Sequence, residues 1–247
     1  MKIIACFLLS FLSVSTLFAE TFKVGLYEAP PLVFNKNSTL LGVYKEILIE
    51  ISKITSDTFE FDYGSAEQVV KRFNEGKIDI EPGINPLWRH SEAVSGLYSI
   101  PFSKSTSIMV KLKPSKKNTP KTLEKIKPLK TGLVKGYQYP SSFSTEFKNK
   151  DWIPVLASSE LKLLTLLNQK KIDQAVIERF VMDFYLRSKK NTSTDSYVLG
   201  KPLETLDIML RVHPDKASVI PRLNDAIKKL IDSGKIQKIY NHYGLVD

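Results

Sequence analysis

The residues best suited to recognition chemistry gather at the end of one kinked stretch, DIEPGINPLWRH, residues 79–90. Pro82, Gly83 and Pro86 are incompatible with an uninterrupted helix and fix the path of the chain toward Trp88 and Arg89. An arginine presents a planar fork that donates two parallel, charge-assisted hydrogen bonds to a carboxylate. Arg89 is therefore expected to grip an anionic group, a contact of about 1.5–3 kcal/mol net in a closed site. The competing expectations are a solvated arginine or an ion pair with Glu81 or Glu92.

Carboxylates surround this arginine in the predicted layout. Glu178 follows the apolar run AVI at the edge of a predicted sheet, where ligands of open α/β sheets collect, and it also suits the start of a helix near Phe180. Glu28 and Glu81 stand at equivalent strand ends. Three carboxylates on one cleft favour a cation unless they pair with Arg89, Lys135 or Arg179. Tyr27, Tyr44, Trp88 and Tyr137 also fall beside predicted strand ends, where their rings either wall a ligand, stack on a cation or pack in the core.

Enzyme signatures are missing. His90, His213 and His242 are isolated, without metal-ligand spacing, and His213 and His242 read as surface residues. No Gly-x-Ser-x-Gly elbow or phosphate loop occurs. No cofactor or metal is expected, and the protein is not expected to be an enzyme.

The elements that must carry these residues alternate between strand and helix periods. FKVGLY is a β-type run ended by the Pro30-Pro31 turn; LGVYKEILIEISKIT spaces Val43, Ile47, Ile51 and Ile54 for a helix; FEFDYG returns to alternation. This is the start of a wound α/β layer. NEGKID (74–79) and NQKKID (168–173) each close an amphipathic helix and open a β-type run, which suggests two lobes on one plan. TSIMVKL (106–112), followed by KPSKKNTPKT, and TLDIMLRV (205–212) are predicted to carry the chain from one lobe to the other and back, as a hinge. Residues 20–112 with 206–247 are then lobe 1, and 113–205 are lobe 2. Lobe 2 is expected to have strands at KTGLVKG, WIPVLA, DQAVIE and YVLG, and helices from Pro140, Ser159 and Phe180.

Residues 1–19, with Lys2, an apolar run and Ala19, predict a cleaved signal peptide and export. Cys6, the chain's one cysteine, lies inside it, so disulfides and thiolate sites are excluded afterwards. The net charge of +10 is spread as scattered lysines such as Lys116, Lys117, Lys170, Lys171, Lys189 and Lys190. Without a stripe or interleaved aromatics they read as a solvated surface, not a nucleic-acid partner surface.

VGLYEAPPLVF, LLGVYKEILIEISK, NEGKIDIEPGI and the closing IPRLNDAIKKLIDSGKIQKIYNHYG together resemble the bacterial extracellular solute-binding proteins of family 3, the polar amino-acid-binding type of ABC importers, over residues 20–247. The resemblance implies the type II periplasmic-binding-protein fold, two αβ sandwich lobes with two crossing hinge strands and an interlobe cleft. It also implies a periplasmic monomer that closes on a small polar ligand, an amino acid or related compound, and delivers it to a membrane ABC permease. The family's carboxylate-gripping arginine falls on Arg89, its ammonium-accepting acid on Glu178, five positions after Asp173, and its glycine turn on Gly136. The passage from Gly83 to Arg89 is one residue shorter than the family pattern and the segment from Arg89 to Ser99 about three longer, while Tyr137 and Gln138 replace small hydroxyl residues. A secreted sensor docking on a membrane receptor and a cyclohexadienyl-dehydratase-like enzyme are the alternatives; the end at Asp247 argues against an attached kinase or channel.

Overall fold

The computed structural model describes residues 19–114, 128–139, 143, 148–149, 151–188 and 196–245. The expected signal peptide, most of the KPSKKNTPKT segment and most of the helix starting at Pro140 lie outside these residues. Strand β1 (Thr21–Tyr27) buries Phe22, Val24 and Leu26 on alternate positions and pairs in parallel with β4 (Thr58–Gly64). Between them come a small hairpin, β2 (Phe34–Lys36) with β3 (Thr39–Leu41), and helix α1 (Val43–Thr55). Val43, Ile47 and Ile51 of α1 are fully buried, whereas Ile54, in the last turn, is 37% exposed. Helix α2 (Ala66–Asn74) begins with a capping box: Ser65 accepts from the Gln68 amide and the Gln68 side chain accepts from the Ser65 amide.

Strand β5 (Ile80–Ile84) is buried throughout, followed by a 3-10 turn at Pro86–Trp88, β6 (Leu97–Tyr98) and the long β7 (Ser103–Leu112). The second half contributes β8 (Leu129–Val134), β9 (Trp152–Ala157), α3 (Glu160–Asn168), β10 (Gln174–Glu178) and α4 (Arg179–Ser188). YVLG and TLDIMLRV, predicted as separate strands, form one strand, β11 (Tyr197–Val212). Its pairing with β7 runs from Tyr197↔Leu112 to Ile208↔Ser103, with register shifts on both sides of Pro202. Proline lacks an amide to pair, so the ladder absorbs it as an irregularity and continues. Helices α5 (Ile220–Asp232) and α6 (Lys235–His242) follow.

The strand order is β4-β1-β5-β11-β7-β10-β8-β9, with β6 on β11. One core packs α1, α5 and α6 on β1, β5 and the end of β11; another packs α3 and α4 on β7, β8 and β10. These are the two lobes, and the β7–β11 ribbon crosses both.

The repeated hexapeptide has a physical basis. Asp79 pairs with Lys23 by amide to carbonyl (2.8 Å), and its carboxylate accepts from the Lys23 amide (2.8 Å). Asp173 does the same with Lys130 (2.9 and 2.7 Å). Two residues beyond each lysine stands a glycine, Gly25 or Gly132, whose added Cβ would lie within 2.8 Å of Ile78 and Val69 or of Ile172 and Leu163. Each copy thus clamps its strand to the preceding parallel strand and lets a helix approach closely.

His213 corrects its sequence assignment as a surface residue. It is 9% exposed, its ring packs on Phe73 with centroids 5.3 Å apart, and its amide donates to Asp79 O at 2.8 Å. The return of β11 beside β5 turns it inward.

Candidate functional site

A cavity opens where the C-terminal ends of β1, β5 and β10 meet the segment after β8. Tyr27, Tyr44, Trp88, Arg89, Tyr137 and Glu178, six of the nine predicted site residues, line it. After Tyr27 the chain makes the predicted turn, with a cis Pro30-Pro31 bond and the Leu32 amide donating to Ala29 O at 2.8 Å. Gly83 has φ +77°, and an added Cβ there would lie 2.3 Å from the Tyr44 ring. Only glycine lets that ring cover the end of β5.

The approach to Arg89 is stiff. Asn85 caps the 3-10 turn by accepting from the Leu87 amide (2.9 Å), and its own amide donates to Asp207 O of β11 (2.7 Å). Arg89 is 2% exposed. Its Nη2 donates to Glu81 Oε1 (2.6 Å), its Nε to Glu81 Oε2 (3.2 Å) and its Nη1 to Trp88 O (3.1 Å). The predicted ion pair with Glu81 therefore exists together with the placement at the cavity, while Glu92 accepts instead from Asn74 Nδ2 at 3.0 Å. Three of the five N–H groups of Arg89 are used in these bonds, and the Tyr27 hydroxyl engages the guanidinium as well.

Glu81 does not line the cavity; it stands behind Arg89, fully buried, and its Oε2 also accepts from Arg211 Nη1 at 2.7 Å. Arg211 is fully buried, donates to the carbonyls of Ser95 and Val94, and lies 3.8 Å over the Phe73 ring. Burial alone would raise the pKa of Glu81, but the charges and hydrogen bonds of Arg89 and Arg211 outweigh it and hold the carboxyl below its ordinary range. The trio carries one net positive charge.

On the opposite wall, Glu178 Oε1 accepts from the Thr106 amide of β7 (3.0 Å) and Oε2 from the Phe180 amide in the first turn of α4 (2.6 Å). It is both a helix-start carboxylate and a cavity residue. Burial raises its pKa to about 7 despite these amides. Beside it lies Glu160, which sequence reasoning missed, 3% exposed in the first turn of α3. Its Oε1 accepts from the Glu178 amide at 2.6 Å, whereas its Oε2 has no hydrogen-bond partner among the described residues. Burial, reinforced by the charge of Glu178, raises its pKa to about 8. The available signal was SSE at the end of β9, a strand-end acid like the others, hidden by its equal fit to a helix cap.

Tyr27 and Tyr137 meet edge to face across the cavity with centroids 5.8 Å apart, and Tyr139 and Phe143 continue the aromatic wall into the second lobe. The Tyr27 hydroxyl faces Arg89, which lowers its pKa against the larger rise that burial imposes. Two predicted residues sit elsewhere. Glu28 is solvent-exposed and outside the cavity. Gly136, with φ +86°, lies at the rim, where an added Cβ would be 2.9 Å from the Glu67 amide nitrogen of α2. Next to it Lys135 Nζ pairs with Glu67 Oε2 at 2.9 Å.

The family model of the bacterial extracellular solute-binding proteins, family 3, matches residues 22–246. Among solved structures, an ancestral arginine-binding protein bound to arginine is similar with TM-score 0.74 and 20% identity, over 91% of this chain and 98% of that one. A substrate-binding protein of an ABC uptake transporter from Streptococcus pneumoniae with bound histidine gives 0.72 and 16%, over 91% and 92%. A histidine kinase sensor domain with similarity to periplasmic binding proteins gives 0.74 and 19%, over 92% and 97%. Comparison with curated protein sequences finds no match.

Proposed function

Since the chain belongs to the bacterial extracellular solute-binding proteins of family 3, we propose that it is exported to the periplasm by its apolar leader and captures a small polar solute, an amino acid or related compound, for an ABC permease. The observation that carries this reading is the cavity itself: Arg89 on one wall, carboxylates on the other, and aromatic rings between. We assign residues 20–112 with 206–247 to one lobe and 113–205 to the other; most of each segment packs in its own core, while Ile108 and Val110 at the end of β7 pack in the second. Ligand contacts to both walls favour the closed state, because a ligand shifts an equilibrium only by its differential affinity.

The protein is taken to act by capture, not catalysis, in keeping with its family. Secreted sensing is the second reading, favoured by the fold shared with a histidine kinase sensor domain; stimulation of a reconstituted permease by the liganded protein separates the two. The primary test is a thermal-shift screen over amino acids, polyamines, organic acids and short peptides. A true ligand at a hundredfold its Kd stabilises by about 2.7 kcal/mol, and Arg89→Ala removes that gain. The reading fails when no compound stabilises the protein, and the Arg89 assignment fails when the variant responds like wild type.

A further inference from the structure

We infer that the cleft selects a ligand of net positive charge, that the unpartnered Oε2 of Glu160 receives its cationic group, and that capture displaces a proton from the Glu160–Glu178 pair. This rests on the cavity being the ligand site, as proposed above.

The walls are electrically unequal. The single charge of Glu81 is shared between Arg89 and Arg211, so that wall keeps one net positive charge. Opposite, Glu160 and Glu178 carry two negative charges when both are ionised. Each Glu178 oxygen accepts a backbone amide and Glu160 Oε1 accepts one, but Glu160 Oε2 accepts none. A buried anionic oxygen without a donor is costly. Two occupants resolve it: a proton in the empty site, or a cationic donor from the ligand, whose charge-assisted bond is the stronger kind.

The surroundings of Glu160 supply no such donor among the described residues. Tyr27 of β1, Tyr44 of α1, Tyr137 and Tyr139 after β8, and Glu178 of β10 act on it or are acted on by it. Asp183 of α4 adds negative charge near Glu178. The cation on the far wall, Arg89, is held by Glu81. Aromatic walls are compatible with a cation. A zwitterion of no net charge leaves one carboxylate of the pair unmatched, and an acidic amino acid leaves one unmatched while adding a negative charge of its own.

The linkage has a definite sign. In the empty protein burial raises Glu160 to about 8, and a cation at its Oε2 binds the ionised form, so binding lowers that value and releases a proton. Affinity therefore rises with pH, by about tenfold per unit below 7 for one proton released, and levels off above about 8.

The test is calorimetric titration of the protein with L-arginine, agmatine, L-glutamine and L-glutamate. Each is run at pH 6, 7 and 8, in two buffers of different ionisation enthalpy. The expected result is binding of arginine or agmatine in preference to the other two, with about one proton released at pH 7 and an affinity about tenfold higher there than at pH 6. Glu160→Gln keeps the Oε1 acceptor for the Glu178 amide, and is expected to weaken that binding at least tenfold and flatten its pH dependence. The wild-type proton count stands whether or not the variant folds. Tighter binding of glutamine or glutamate, cation binding without proton release, or a Glu160→Gln variant that binds like wild type overturns the inference and leaves solute capture intact. Binding of none of the four also overturns it, and the wider screen with Arg89→Ala then judges the capture reading separately.

Discussion

Glu81 is the residue whose loss should injure the fold most for the least change in shape. It is fully buried between two arginines, with Arg89 Nη2 at 2.6 Å and Arg211 Nη1 at 2.7 Å, and those arginines are themselves 2% and 0% exposed. Glu81→Gln removes the one negative charge of the trio and leaves two guanidinium groups facing each other out of water. Removing the counter-charge of a buried pair costs about 3–5 kcal/mol. Arg89→Gln leaves Glu81 paired with Arg211 and forfeits two charged hydrogen bonds, about 1.5–3 kcal/mol each, but it also removes one buried positive charge from a trio that carries a surplus, so its net cost stays below that of Glu81→Gln. Urea unfolding followed by tryptophan fluorescence at pH 7 compares the two variants and their double mutant, whose cycle isolates the coupling. The sign with pH is fixed as well. The folded pKa of Glu81 is depressed, so its contribution is present above the unfolded value of 4.5 and is lost as pH falls through the folded value. The gap between wild type and Glu81→Gln should therefore narrow in that acid range. A Glu81→Gln variant no less stable than Arg89→Gln, or a gap that stays constant into acid, refutes the reasoning.

Gly136→Ala should impede closure, because its φ of +86° disfavours alanine and its Cβ would press on the Glu67 amide nitrogen at 2.9 Å. A ligand affinity at least tenfold lower, with a larger radius of gyration by X-ray scattering at saturating ligand, is expected; wild-type values for both contradict the rim contact. Ser65→Ala breaks the capping box of α2 and should cost about 1 kcal/mol in the same urea titration.

The order of elements was legible because apolar spacing switches cleanly between periods, as in Val43, Ile47 and Ile51 after Phe22, Val24 and Leu26. The repeated hexapeptide was legible for the same reason, and the aspartate in each copy proves to hold a neighbouring strand. The charge arrangement was not. Arg211 lies 130 residues from Glu81 and sits in an apolar strand, where nothing local announces a buried guanidinium. Only the antiparallel register of β11 on β5, which sets Arg211 opposite Glu81, brings them together. Glu28 lies outside the cavity because the strand ends at Tyr27 and the following residue is solvent-exposed. Glu160 was hidden by the good fit of Ser159 and Glu160 to an ordinary helix start.

The bond from the Thr106 amide to Glu178 Oε1 has a mechanical meaning. Thr106 belongs to the ribbon that spans both lobes, and its hydroxyl lies 3.0 Å from that of Thr205 on the other ribbon strand. In the proposed capture, the carboxylate facing the solute would be moored to the crossing ribbon itself. A solute that tugs on Glu178 would then pull directly on that ribbon, with no relay through the lobes.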